Sequence, residues 1–194
     1  MKEELIRQSI QLFDEKGFTN TSIQQITDAL HVTKGTFYYY FASKEQLLYT
    51  IHLHYVDELL KRQQTIMNQK QTALEKLSRI ITLIIEDMDD VQLEARVFFR
   101  EMKHLSTENN QNIKQKRKQF RLNVQSVIEQ GQDHREISNT VKADLAAFAV
   151  LGMTNYCYEW YKQEGTLSTS ELAVQYVEMI LKGMVANERN DEGS

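Results

Sequence analysis

Residues 32–44 read VTKGTFYYYFASK, and the side chains in this stretch are not those of a buried helix. It holds the hydroxyls of Thr33 and Thr36, the ammonium of Lys34 and a bare backbone at Gly35. Three successive phenols follow, Tyr38, Tyr39 and Tyr40, and then Phe41. Neighbouring residues on a helix point about 100° apart, so three adjacent aromatic rings cannot share one core and at least one faces outward. Hydroxyls and a lysine displayed on a short helix suit the oxygens of phosphates and the polar edges of bases, and a threonine methyl suits thymine. Gly35 lets the backbone approach such a partner with no Cβ in the way.

A second set of residues carries a different chemistry. From Arg96 to Arg121 there are eight basic side chains against two acids, in a chain whose formal net charge is −4. Arg96, Arg100 and Lys103 fall at i, i+4 and i+7 on one helix face, with Phe99 beside them, and Arg117 and Arg121 are again four apart. Arginine forks pair phosphates bidentately, so this cluster fits a ligand that carries phosphates. A solvated helix face, or ion pairs to Glu94 and Glu101, would use the same residues. The aromatic run containing Phe148, Tyr156 and Trp160 fits the lining of an apolar pocket, and equally an ordinary core or a dimer interface.

Catalysis finds little footing. The five histidines are scattered, no HExxH or paired His/Cys set occurs, and no glycine-rich phosphate loop or nucleophile motif is present. The i, i+4 pair His54 and Glu58 reads as a surface pair. The expectation is a protein that is no enzyme, with no catalytic residue, no metal and no cofactor.

The elements that must position these residues are helical. With no proline, seven glycines and an abundance of Leu, Ile, Gln, Glu and Lys, the chain lacks the turn residues that sheets need. The single Cys157 and the absence of a signal peptide or membrane-length run imply a cytoplasmic protein with no membrane association. Apolar spacing predicts a helix over 3–16 ending at Gly17, and a second opened by a capping box of Thr21 and Gln24. After the break His31-Val32-Thr33, a third starts at Lys34 under a Thr33 cap; together these make a helix-turn-helix with one supporting helix. Ser43 and Gln46 open a long helix over 44–68. Further helices are expected over 73–88, 91–105 (capped by Asp89 or Asp90), 106–130 (stopped at Gly131), 140–163 and 169–186, the last with a Ser168/Glu171 box. Residues 1–62 hold seven basic against eight acidic side chains, so any grip on DNA must come from where charges sit.

Residues 10–47 resemble the DNA-binding domain of the tetracycline-repressor (TetR-like) family of bacterial transcription regulators. The likeness rests on Phe13, Gly17-Phe18, Thr21, Ile23, Ile26, Ala29, Val32, Lys34-Gly35, Tyr38, Tyr40-Phe41 and Lys44-Glu45-Leu47. Residues 96–165 more loosely resemble the subgroup that regulates fatty-acid and steroid breakdown in response to acyl-CoA. The resemblance implies an all-α fold of about nine helices, with a three-helix helix-turn-helix domain at 1–46 and a helical-bundle ligand-binding and dimerisation domain at 47–190. A disordered tail is expected at 191–194. It implies DNA contacts by Tyr38 and Tyr39, beside those expected of Thr21, Thr33, Lys34, Gly35, Thr36 and Lys44; Lys44 and Thr21 sit at helix amino-termini that favour phosphate. It further implies a homodimer on a double-stranded, pseudo-palindromic operator, repressing until a small hydrophobic effector binds, with a long-chain acyl-CoA as first candidate. The other candidate is a sensor of hydrophobic drugs controlling an efflux pump. Effector contacts are expected of Arg96, Phe99, Arg100, Lys103, Arg117, Arg121, Tyr156 and Trp160.

Overall fold

Helix α1 (Lys2–Lys16) buries Leu5, Ile10, Leu12 and Phe13 and stops where Gly17 takes a φ of 78°, its N–H returning to the Phe13 carbonyl at 2.9 Å. A left-handed backbone is free of strain only for glycine. In the computed structural model of the chain, residues 1–161, 165 and 167–185 are described, without the side chains of Asp89 and Asp90. The expected tail 191–194 lies outside them.

Helix α2 (Ile23–Ala29) starts one residue later than its sequence suggests. Ser22 is the cap: its Oγ accepts from Gln25 N–H at 3.1 Å while Gln25 Oε1 accepts from Ser22 N–H at 2.7 Å. Thr21 is instead turned inward, because its hydroxyl donates to the carbonyls of Leu12 (3.1 Å) and Gly17 (2.9 Å) and so ties the end of α1 to the loop. The turn into α3 (Lys34–Tyr40) passes through His31 with φ 54°, and Thr33 caps α3 by accepting from Thr36 N–H at 3.3 Å.

Helix α4 (Lys44–Met67) opens as expected with Ser43 Oγ accepting from Gln46 N–H at 3.0 Å, while Gln46 reaches past Ser43 to the N–H of Ala42. Helix α5 (Ala73–Asp90) runs through both aspartates expected as caps, and α6 (Gln92–Glu101) begins on Val91 with no side-chain cap. The expected helix to residue 105 breaks instead into a 3-10 turn, Met102–His104. Helix α7 (Thr107–Asp133) does not stop at Gly131. A Cβ there would lie 2.7 Å from Ile137 Cδ1 and 3.0 Å from Ala73 Cβ, so that glycine serves close packing. Helices α8 (Ala143–Trp160) and α9 (Thr169–Lys182) complete the nine helices among the described residues, α9 opening with the expected Ser168/Glu171 box. The only sheet-like feature among them is an isolated antiparallel bridge, Ile137 to Val185.

The chain forms two compact units, residues 1–59 with 91–116, and residues 60–90 with 117–194. In the first, α1 packs against α2 and α6, and α2 against α3. Phe13, Phe37, Phe41, Leu47 and Leu48 fill its core. In the second, α5 is the central helix and packs on α8 and α9 through Leu77, Ile80, Ile81, Ile84 and Ile85. No described helix is long and apolar enough to cross a membrane.

Candidate nucleic-acid interface

Helix α3 is held from beneath by Phe37 and, at its end, Phe41, both buried with their rings 5.8 Å apart. With that side anchored, helical spacing turns the rest outward. Thr33, Lys34, Gly35, Tyr38 and Tyr39 are exposed, and Thr36 and Tyr40 are half-buried. Tyr39 is 81% exposed and Tyr38 54%. The Tyr39 ring is set edge-on against Tyr40 at 4.8 Å, and Tyr38 edge-on against Phe37 at 5.6 Å. Six of the eight expected DNA-contacting residues therefore lie together on one short, solvent-facing helix.

The other two do not. Thr21 is 1% exposed with its hydroxyl committed to two carbonyls, so it has nothing to offer a phosphate. Lys44 folds back over the first loop, its ammonium donating to the carbonyls of Phe18 (2.6 Å) and Thr21 (2.5 Å) and lying 4.3 Å from the Phe18 ring centroid. Burial pulls its pKa below the usual lysine range, with Glu101 opposing that shift. Both residues fix the loop between α1 and α2. The loop they fix is also held by His104, which stacks on Phe18 at 5.2 Å and lies 3.3 Å from Glu101. Phe18 and His104 stand 86 positions apart in the sequence, so no local pattern announces their pairing.

The expected effector contacts divide between the units. In the first, Arg96 makes a two-pronged bond to Asp14 (Nε to Oδ1 2.7 Å, Nη2 to Oδ2 2.6 Å), which holds its pKa up, and Arg100 approaches the same carboxylate at 3.7 Å. Neither the solvated face nor the Glu94 and Glu101 pairing describes Arg96: its partner is on α1. An arginine so committed is not available to a coenzyme A phosphate. Phe99 packs edge-on against Phe98 at 5.2 Å, and Lys103 is exposed on the 3-10 turn.

In the second unit Arg117 is exposed, and Arg121 lies over the Phe148 ring at 4.5 Å and donates to Gln125. Tyr156 and Trp160 are 65% and 44% exposed and do not line the interior of the chain. Helical spacing explains the reversal: α8 buries Ala146, Val150, Thr154, Cys157 and Tyr158, and the opposite face carries Leu145, Phe148, Met153, Tyr156 and Trp160. Groups of three or more His, Cys, Asp or Glu able to hold a metal are absent among the described residues.

A supported helix-turn-helix with a polar, aromatic outer face, joined to a second helical unit, is the architecture of a DNA-binding transcription regulator. Residues 5–50 match the tetR family of bacterial regulatory proteins, and residues 70–184 match the tetracyclin repressor-like C-terminal domain. The chain belongs to the TetR family, and it is a regulator and not an enzyme. It is similar to the HTH-type transcriptional repressor KstR2 of Mycolicibacterium smegmatis, 23% identical over 188 residues, spanning 96% of this chain and 92% of the relative. The structure of the ketosteroid transcriptional regulator KstR2 of Mycobacterium tuberculosis superposes with a TM-score of 0.87 at 23% identity, covering 96% of this chain and 95% of that one. AibR, solved in complex with isovaleryl coenzyme A and operator DNA, gives 0.82 at 24% identity, covering 92% and 96%. At these identities the two structures show a shared fold.

Proposed function

We propose that the protein is a repressor that binds a pseudo-palindromic operator as a homodimer and leaves it when a small hydrophobic effector binds. The observation that carries this reading is the outer face of α3, where Thr33, Lys34, Gly35, Tyr38 and Tyr39 are exposed above buried Phe37 and Phe41. One helix-turn-helix presents a single recognition helix, so a half-site on each strand calls for two copies about one helical turn apart. The contacts proposed for Thr33, Lys34, Gly35, Thr36, Tyr38 and Tyr39 all fall within residues 1–46, the reading domain. DNase footprinting of the purified protein on its own promoter tests the reading: protection of a two-fold symmetric sequence is expected, and no protected sequence would overturn it.

The second copy is proposed to dock on the outer faces of α8 and α9, where large apolar side chains stand in the open. Besides the α8 residues named above, α9 exposes Val174 and Met179. Large apolar side chains exposed along a helix face mark an interaction site. The face also includes Gly152, around which an added Cβ would meet nothing within 4 Å, so the glycine leaves room for a second backbone to approach.

For the effector, an acyl-CoA remains the proposal, supported by the isovaleryl coenzyme A that AibR binds on the same fold. The cations proposed to meet its phosphates are Arg117 and Arg121, four residues apart on α7 in the second unit. Isothermal titration with acyl-CoAs of graded chain length is expected to show an optimum length; no heat at any length would remove this effector class.

A further inference from the structure

Among the exposed positions of α3, Gly35 is the one that the protein's own packing does not explain. Its backbone lies outside the left-handed region, and a Cβ added there would meet only Thr33 Oγ1, at an ordinary 3.4 Å. Gly17 is required by its φ of 78°, and Gly131 by the 2.7 Å to Ile137. Gly35 has neither reason, yet glycine loses more backbone freedom in a helix than alanine does. A residue that weakens its own helix without an internal cause points to a partner that comes too close for a Cβ.

The surroundings say what that partner is. One turn further on stands Tyr39, the most exposed ring of the helix, its plane fixed by the edge of Tyr40. Thr33 and Thr36 turn their hydroxyls toward each other, 3.3 Å apart, and Thr33 Oγ1 also accepts from Thr36 N–H. Gly35 and Tyr39, four residues apart on one helix face, therefore set a bare stretch of backbone beside an exposed aromatic ring. We propose that Gly35 and Tyr39 form a notch that receives a thymine methyl in the major groove, which makes Gly35 a specificity-determining residue. The thymine C5-methyl is the one apolar group that base edges present there. A notch one turn, about 5.4 Å, long accommodates it, and an aromatic ring beside a bare backbone is an apolar surface suited to a methyl. The inference rests on the operator reading above.

The test pairs a protein methyl with a DNA methyl. Operator duplexes defined by the footprint are made with deoxyuridine at each thymine in turn, which removes the methyl and keeps every hydrogen-bonding group. Affinities for wild type and Gly35→Ala are read by fluorescence anisotropy, with thermal unfolding of both proteins alongside. At one thymine per half-site, deoxyuridine is expected to weaken wild type about three- to fivefold, the worth of one buried methyl. Gly35→Ala is expected to be at least as stable as wild type, to bind the thymine operator about tenfold more weakly and to regain most of that loss on the deoxyuridine duplex. An alanine penalty that no thymine position relieves, or no penalty at all, overturns the notch. So does a Gly35→Ala protein less stable than wild type, since the glycine would then have an internal reason. A wild type that protects no DNA overturns the operator reading, and the notch with it.

Discussion

Lys44 and Phe18 are joined twice, by a hydrogen bond from the ammonium to the Phe18 carbonyl at 2.6 Å and by the same ammonium above the Phe18 ring at 4.3 Å. A third bond, to the Thr21 carbonyl, closes the clamp on the loop between α1 and α2. The lysine that the sequence offers as a phosphate ligand thereby holds that loop in place.

Lys44→Ala is accordingly expected to cost about 1–2 kcal/mol of stability, the worth of charge-assisted hydrogen bonds. The slope of log K against log[salt] for its remaining operator binding should stay as in wild type. Lys34 is exposed on α3. Lys34→Ala should leave stability unchanged and flatten that slope by about 1, as removal of a single phosphate-binding cation does. Denaturant titrations and salt-dependent anisotropy read both. A flattened slope with full stability in Lys44→Ala would return that residue to the DNA.

His52 sets a pH limit on the first unit. It is fully buried on α4, with Nδ1 2.9 Å from the Leu48 carbonyl and its ring against Phe98 at 5.1 Å. Burial pushes its pKa down to about 4, against backbone hydrogen bonding that raises it. A depressed folded pKa means that the unfolded chain takes up the proton first. The stability of the neutral buried ring is therefore complete above about pH 6.5 and drains away toward about pH 4, at up to about 1.4 kcal/mol per pH unit. Urea midpoints at about pH 7.5 and about pH 5 should show wild type losing roughly 2 kcal/mol more than His52→Gln. Equal losses in the two proteins would contradict the assignment.

The outer face of α8 makes a separate prediction. Tyr156 is exposed and Gly152 has open space around it, so Tyr156→Arg and Gly152→Leu should leave helicity and unfolding cooperativity intact in the single chain. Placing a charge or a bulky side chain where a second copy packs costs about 2 kcal/mol or more, which displaces the monomer–dimer equilibrium by about 30-fold. Sedimentation equilibrium measures it; variants as dimeric as wild type would move the interface elsewhere.

What could be read from the sequence follows how local each signal is. The Thr33 cap and the Ser168/Glu171 box depend on residues within a turn of one another, and the structure holds them as expected. The Thr21 cap failed by one position because Ser22 and Gln25 offer the same spacing, and the long-range bonds of Thr21 to Leu12 and Gly17 decide between them. The ion pair of Arg96 and the loop contacts of Lys44 are equally hidden in the sequence. A free cation and a committed one look alike in sequence, and their partners, Asp14 and the Phe18 carbonyl, are 82 and 26 residues away. Tyr156 and Trp160 share a face four residues apart, but spacing alone does not say whether that face turns in or out.

If the exposed face of α3 grips operator DNA, the side chain that reaches furthest from it should matter most, and Tyr39 is its most exposed ring. The direct measurement is the affinity of Tyr39→Ala for the footprinted operator, beside wild type at the same salt. Because the Tyr39 ring contributes nothing to the core, the variant should fold and dimerise as wild type does. It should bind at least about tenfold more weakly, the worth of one good groove interaction. Unchanged affinity in a folded, dimeric Tyr39→Ala protein would contradict the placement of the DNA on α3.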